Sequence, residues 1–241
     1  MAKYCSKCGK LLEKNQKCDC QTKVKKIRES KIDYKKYLDE FIDIYKSIFT
    51  KPIDTIKNYT NKPNMKVAII QMIIFILLFG VYALSIAKSI YVLYGIITKE
   101  YFTAIYNANI NNISLVTQIP YLNIFLIAIL FIIIVSFLTV VTLYLVNHLL
   151  FKSKTNIKRV FCLYSINTVL PSVFLIVCTI LGFISLQLSL IVLFFAIVLS
   201  NIYLFSGINF ISVKDDNKYG YTYIITMIIV YLILFILFKL I

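Results

Sequence analysis

Residues 122–145 read LNIFLIAILFIIIVSFLTVVTLYL, a predominantly apolar run without a charged residue that decides the class of fold. A helix needs about 20 apolar residues to cross the roughly 30 Å hydrocarbon core of a bilayer. Apolar runs of this kind occur at about residues 67–87, 121–146, 160–183, 187–211 and 221–238. The sequence therefore predicts an all-α membrane fold, in which residues 67–241 form a five-helix transmembrane bundle.

The segment before the first apolar run is polar and basic. Residues 1–66 hold 17 of the 26 lysines and arginines of this 241-residue chain. Lysines beside a membrane attract anionic lipid headgroups, so we expect the lipid bilayer as partner and no nucleic acid. The first residues contain no apolar stretch of the kind that a secretory signal requires, so no cleavable signal peptide is expected.

Four cysteines near the N-terminus have the spacing of a metal site, in the pattern Cys5-x-x-Cys8 followed by Cys18-x-Cys20. Residues 1–22 are too polar to build a hydrophobic core, and four thiolates around zinc can replace one. Gly9 suits the turn that follows the second cysteine. The pattern resembles short bacterial zinc ribbons, although a two-residue spacer is more usual than the single residue between Cys18 and Cys20. We therefore predict structural Zn²⁺ bound by Cys5, Cys8, Cys18 and Cys20.

Two other chemistries are open to these thiols. A disulfide pair would need an oxidising compartment, which a cytosolic segment lacks. A redox dithiol would need a folded scaffold of the thioredoxin kind, which does not surround Cys5 in the sequence. Cys162 and Cys178 lie among apolar residues and are interpreted as small buried hydrophobic side chains.

Residues 23–66 are predicted to form a basic linker followed by amphipathic juxtamembrane helices. Apolar side chains recur at three- and four-residue steps from Tyr34 to Phe49, with charged side chains between them. Pro52 ends this helix and opens a second, shorter one. The apolar stripe must be buried against the lipid interface, the transmembrane bundle or a protein partner. We favour a helix that lies at the lipid interface, with a soluble protein partner as the alternative.

The basic residues also predict the orientation. Short loops on the cytoplasmic side of membrane proteins are enriched in lysine and arginine. Lysine and arginine are concentrated in residues 1–66, 151–159 and 214–218, whereas the connections at 89–120 and around Ser185 contain almost none. We therefore expect a multi-pass protein of the cell membrane with a cytoplasmic N-terminus and an outside C-terminus.

The five apolar runs contain no Asp, Glu, Lys or Arg. Ionisable residues inside a membrane usually mark ion coupling or proton relays. Their absence from the runs argues against an ion-coupled transporter, an intramembrane protease and any enzyme that uses carboxylates. No glycine-rich phosphate loop occurs either, so we expect a protein that is not an enzyme.

Three asparagines are the candidate polar contacts inside the membrane: Asn167, Asn201 and Asn209. At 1.5 Å per residue, Asn167 falls between the other two in depth, about 12 Å below Arg159. The favoured interpretation is hydrogen bonding between the third and fourth helices. Pro171, one turn beyond Asn167, is expected to permit a kink. The alternative is that the kinked helix lines a polar cavity.

Three short motifs accompany the five spans: FTKPIDT at 49–55, RVF at 159–161 and LP at 170–171. With them, residues 49–241 resemble the Yip family of integral membrane proteins. The resemblance implies a cytosolic N-terminal region, five spans and a C-terminus on the far side. A zinc ribbon joined to such a domain is similar to bacterial zinc-ribbon membrane proteins. The longer polar motifs of eukaryotic relatives, which act in vesicle traffic with small GTPases, are not visible, so that activity is not expected.

Two functions remain. The first is a non-enzymatic membrane scaffold or regulator, with the zinc ribbon and the basic helix as a cytosolic docking surface for anionic lipid or a protein. The second is a permease-like protein that passes a small neutral or lipidic substrate between the third and fourth spans.

Overall fold

A computed structural model describes residues 3–4, 11–12, 34–97, 119–153, 155–211 and 216–240 of the chain. The chain divides into two compact units, Met1–Asp39 and Glu40–Ile241. In the first unit, strands β1 (Lys3–Tyr4) and β2 (Leu11–Leu12) pair antiparallel, with Lys3 opposite Leu12. The other secondary structure of the described residues is helical, as the sequence predicts.

Two amphipathic helices precede the bundle. Helix α1 spans Tyr34–Thr50 and α2 spans Pro52–Asn61. Pro52 occupies the first turn of α2, where a residue without a backbone N–H loses no helical hydrogen bond. Lys51 alone separates the two helices, and its backbone still joins them, since Lys51 N donates to Ser47 O and Lys51 O accepts from Thr55 N.

Among the described residues, five helical stretches are long and apolar enough to cross a membrane, which confirms the prediction of five apolar helices. They are formed by α3 (Met65–Ile97), α4 (Tyr121–Leu145), α5 (Ile157–Asn167) together with α6 (Val169–Ile184), α7 (Leu186–Ile208) and α8 (Asp216–Leu240). A single π-helical turn, Val146–Leu150, extends α4. We call α5 and α6 together the third span.

The third span is broken at Thr168, three residues before Pro171, the residue at which the sequence predicts a kink. Pro171 is the third residue of α6 and has no N–H to donate to the carbonyl of Asn167, four residues earlier. The Thr168 N–H turns back to Ser165 O at 3.0 Å, and helical bonding resumes when Ser172 N donates to Thr168 O. The break therefore lies one turn before the proline, beside the Asn167 carbonyl that lacks its helical donor.

Helix α3 packs against α4, α5 and α6. The buried core joins α3, α4 and α6 through six side chains: Phe75, Tyr82, Ile86, Ile132, Leu175 and Cys178. Gly182 on α6 permits close approach to α3, because a Cβ at this position would overlap Ser85 Oγ. Helices α6 and α7 form a hairpin around Ser185, and α8 packs against α4 and α7.

The predicted apolar stripe of α1 is divided between two edges of the helix. Ile44 and Ile48 are buried, while Leu38, Ile42 and Phe49 are exposed. Ile44 was not part of the predicted stripe. The sequence interpretation of one face covered by lipid is thus too simple, since a stripe this broad spans two sides of a helix and one side packs inside the protein.

Candidate functional site

Gln71 is the most unusual buried side chain of the first span. It lies on α3, six residues after Met65, and only 2% of its surface is exposed. A buried amide needs hydrogen-bond partners, because desolvation without them is costly. The Tyr45 hydroxyl on α1 donates to Gln71 Oε1 at 2.8 Å. This bond ties a helix outside the membrane runs to a helix inside them.

The other end of the Gln71 amide reaches the break in the third span. Gln71 Nε2 donates to Ser172 Oγ at 3.1 Å and to Thr168 Oγ1 at 3.3 Å. The two hydroxyls donate in turn to backbone carbonyls, Thr168 to Ser165 O and Ser172 to Thr168 O. A directed chain of hydrogen bonds therefore runs from Tyr45 to the break. We call Tyr45, Gln71, Thr168 and Ser172 the polar connection.

The polar connection consists of a phenol, an amide and two hydroxyls, and it is neutral around pH 7. Burial raises the pKa of the Tyr45 phenol above its ordinary value of 10.0, and hydrogen bonds to Gln71 and Ser172 offset part of that rise. Such groups are poor acids and bases near neutral pH. The arrangement can hold α1, α3 and the third span in register, and it offers no nucleophile or general base.

Beside α1, helix α2 is fastened to the same end of the bundle by Arg159. The Arg159 guanidinium donates to Asn61 Oδ1 at 2.7 Å, to Thr60 O at 3.3 Å and to Phe210 O at 3.3 Å. These acceptors belong to the end of α2 and to the turn after α7. Arg159 thus joins three segments at the first residues of α5, and the fork of its guanidinium suits several acceptors at once.

Helix α1 makes a second hydrogen bond to the larger unit at Glu40, the first residue of α1 that belongs to that unit. Asn64, in the turn before α3, donates through Nδ2 to Glu40 Oε2 at 2.8 Å. Tyr59 on α2 donates to the carbonyl of Asn64 at 3.2 Å, and burial raises the pKa of its phenol. The short helices and the beginning of α3 therefore form one hydrogen-bonded group.

The structure places the three predicted asparagines in different surroundings. Asn167 Nδ2 donates to Ser200 Oγ on α7 at 2.8 Å, and its Oδ1 is buried without a partner. Asn201 donates to Ile197 O of its own helix and accepts from Tyr223 on α8. Asn209 is exposed at the end of α7. Asn167 therefore bonds the fourth span through Ser200, and the other two asparagines do not approach it through the bonds described.

The predicted zinc ligands Cys5, Cys8, Cys18 and Cys20 lie outside the described residues. Within the described parts of the chain, no three His, Cys, Asp or Glu side chains come together in a way that could hold a metal ion. Cys162 and Cys178 are buried free thiols, and Cys162 Sγ lies 3.9 Å from the Met65 sulfur.

Gln71 and Arg159 were not identified from the sequence as residues whose hydrogen bonds join several helices. Gln71 is a single amide within an apolar run. Arg159 enters the sequence argument as a basic loop residue, as the depth reference for Asn167 and as the first residue of the RVF motif, and none of these predicts its hydrogen bonds. A signal for Gln71 was present, since an amide about one and a half turns inside a span needs a partner. The identity of its partners was not readable, because Tyr45 lies 26 residues before Gln71 in the chain, and Thr168 and Ser172 lie 97 and 101 residues after it.

No protein-family model matches this chain, and neither the curated proteins nor the solved structures contain a match.

Proposed function

We propose that the protein is a non-enzymatic membrane scaffold or regulator whose N-terminal segment is a cytosolic docking surface. The observation that carries the proposal is the polar connection. It joins α1, which continues from the N-terminal segment, to the break in the third span through Gln71. A partner that displaces α1 would remove the Tyr45 hydrogen bond and leave Gln71 Oε1 unpaired.

The docking surface that we propose includes the exposed edge of α1. Ile42 and Phe49 share this edge, and Phe49 is 53% exposed. Lys46 lies beside them on α1, and such a combination suits anionic lipid headgroups at a membrane surface or an apolar protein face. Docking at this edge leaves the buried edge of Ile44 and Ile48 free to pack within the protein.

Structural zinc belongs to the same proposal, with Cys5, Cys8, Cys18 and Cys20 as ligands. The spacing of Cys5-x-x-Cys8 in the sequence supports it, because two intervening residues allow two cysteine sulfurs to bind a single ion.

We further propose a cell-membrane location with a cytoplasmic N-terminus and an outside C-terminus, on the distribution of basic residues. The Yip-like resemblance is part of the proposal and is supported by the five apolar helices that follow α1 and α2. Labelling of introduced cysteines in intact cells tests the orientation. A probe at Asn111 should react from outside, and a probe at Asn217 should not; labelling at Asn217 from outside would reverse the orientation.

The second candidate, a permease-like protein for a small neutral or lipidic substrate, is favoured by one observation. Asn167 Oδ1 is buried without a partner beside the break in the third span. A buried acceptor without a donor is costly, and a substrate that donates a hydrogen bond would relieve that cost.

One pair of measurements separates the two candidates. Full-length protein and a variant without residues 1–30 are purified from native membranes, and the proteins bound to each are quantified by mass spectrometry. A scaffold should lose defined partners on truncation, whereas identical sets would contradict the docking role. In parallel, purified protein in liposomes is assayed for saturable flux of small neutral solutes. Flux that is lost in Asn167→Leu would establish the permease instead.

A further inference from the structure

A lateral cleft separates the outer faces of the fourth and fifth spans. It has a volume of about 620 Å³ and is lined by side chains of α7 and α8. Most of its wall is apolar, including Ile202, Ile224 and Ile228, each about half exposed. Pockets of this size with apolar walls and a few placed polar groups are typical small-molecule sites.

Aromatic rings meet at one end of the cleft. Phe205 on α7 packs edge-on against Tyr219 and Tyr223 of α8, with ring centroids 5.3 and 5.5 Å apart. This end is the one that carries α1 and α2, because α7 ends and α8 begins there. The cleft extends from the aromatic rings toward Tyr231, so it opens sideways along the apolar length of the spans.

A polar pair lines the cleft beside the aromatic rings, and the hydroxyl of one of those rings belongs to it. The Tyr223 hydroxyl donates to Asn201 Oδ1 at 3.0 Å, and Asn201 Nδ2 donates to Ile197 O at 2.8 Å. An amide has two N–H donors and two acceptor positions on its oxygen, and a phenol oxygen also accepts. One N–H of Asn201 and the Tyr223 oxygen therefore have hydrogen-bonding capacity beyond these bonds.

The depth of the pair limits what can reach it. Asn201 is seven residues from the end of α7, about 10 Å along the helix axis, and Tyr223 is five residues into its span, about 8 Å. Tyr231 lies eight residues further, so the cleft wall between the two tyrosines runs for about 12 Å. A charged phosphate headgroup would have to leave water to reach the pair, which is strongly unfavourable.

The residues that line the cleft are all uncharged. A ligand that enters from the bilayer and reaches the pair therefore needs an apolar chain and a neutral group that both donates and accepts hydrogen bonds. A free hydroxyl meets that requirement. We propose that this cleft binds a neutral bilayer lipid with a free hydroxyl, of the diacylglycerol class, with its hydroxyl on Asn201 and Tyr223 and its chain along the wall toward Tyr231.

This lipid site lies on the opposite side of α7 from the bond that Ser200 accepts from Asn167 and does not depend on the scaffold role. To test it, the full chain is reconstituted in nanodiscs of phosphatidylcholine and phosphatidylglycerol. One sample contains diacylglycerol with a photoactivatable diazirine in an acyl chain, and the other contains phosphatidylglycerol with the same labelled chain. After illumination, mass spectrometry maps the labelled peptides.

We expect diacylglycerol to label peptides of residues 198–205 and 223–231 in preference to the other lipid-facing helices. Tyr223→Phe should lower this labelling about 3- to 10-fold, the loss expected for one hydrogen bond inside a membrane. Ile228→Trp should lower it by filling the cleft without touching the polar pair. Tyr203→Phe, which removes a hydroxyl from α7 outside the cleft, is the matched control and should leave labelling unchanged.

Equal labelling of the cleft by phosphatidylglycerol would overturn the proposal, as would diacylglycerol labelling spread evenly over all spans. A crosslinked dimer joined at α7 and α8 would show that a second copy of the chain covers the cleft instead. No change in Tyr223→Phe would remove the role of the polar pair. Because Tyr223→Phe retains the ring, it keeps the edge-on contact with Phe205 and tests the hydroxyl alone.

Discussion

Tyr45 and Gln71 are 26 residues apart in the chain and are joined by a hydrogen bond of 2.8 Å between the phenol and the amide oxygen. The bond links an amphipathic helix to a buried position of the first span, whose amide is bonded in turn to the break in the third span. Hydrogen bonds therefore connect α1 to the third span through Gln71, so a movement of α1 would alter the bonding at the break.

Tyr45→Phe should destabilise the protein by about 1–3 kcal/mol, because it leaves the buried oxygen of Gln71 without a donor. The free energy of unfolding in detergent measures this change, and protease cleavage within α1 should become faster. Tyr121→Phe removes a hydroxyl from an exposed ring and serves as the control. A double-mutant cycle with Gln71→Leu should give a coupling of about 0.6–1.7 kcal/mol, and a coupling of zero would contradict the bond.

Alkaline pH should release α1. Burial raises the pKa of Tyr45 above 10.0, so the native state holds this proton more tightly than the unfolded state does. The stability that the neutral phenol contributes is therefore complete below pH 10 and is lost as the pH rises through the native pKa. The difference in unfolding free energy between wild type and Tyr45→Phe should shrink as the pH is raised above 10. A difference that stays constant would contradict the prediction, and Tyr59, present in both proteins, cancels in the comparison.

Gly182→Ala should destabilise the contact between α3 and α6 by about 1–3 kcal/mol, because the added methyl group overlaps Ser85 Oγ in a packed core. Gly220→Ala is the matched control. No atom lies within 4 Å of a Cβ at Gly220, so the added methyl group should be neutral or stabilise α8 by about 0.5–1 kcal/mol. Thermal unfolding of the two variants in the same detergent measures the contrast, and equal melting temperatures would show that the two helices are not closely packed at Gly182.

Detergent-purified protein should contain one zinc ion per chain. Cys5→Ser, Cys8→Ser, Cys18→Ser and Cys20→Ser should each abolish tight binding, because an open coordination position weakens a structural zinc site. Cys162→Ser and Cys178→Ser should retain the metal, since both thiols are buried among the spans. Metal content is measured by mass spectrometry under reducing, chelator-free conditions.

Removal of zinc should unfold residues 1–22 and leave the membrane bundle intact. So polar a segment cannot offset about 1–2 kcal/mol of backbone entropy per residue, and its folding energy must therefore come from the metal. Insertion and abundance of the Cys5→Ser variant should equal those of the wild type. A zinc content near zero in the wild type would instead favour thiol redox chemistry.

The sequence by itself determined the number and type of the main elements. Five apolar runs without acidic or basic residues leave few alternatives to five membrane helices, because an unpaired backbone cannot lie in hydrocarbon. The helical period of α1 and the positions of Pro52 and Pro171 likewise predict local features, since they act on the backbone within one or two turns.

The tertiary structure decided which polar groups meet. Gln71 bonds Tyr45 and Ser172, and Asn167 bonds Ser200 rather than another asparagine. The rotation of each helix about its axis selects these partners, and an almost wholly apolar helix has no distinct polar face that would reveal that rotation. The tertiary structure also decided that Ile44 faces inward while Ile42 faces outward. The two side chains are equally apolar, so the sequence does not distinguish them, and packing against α2 and α3 determines which one is buried.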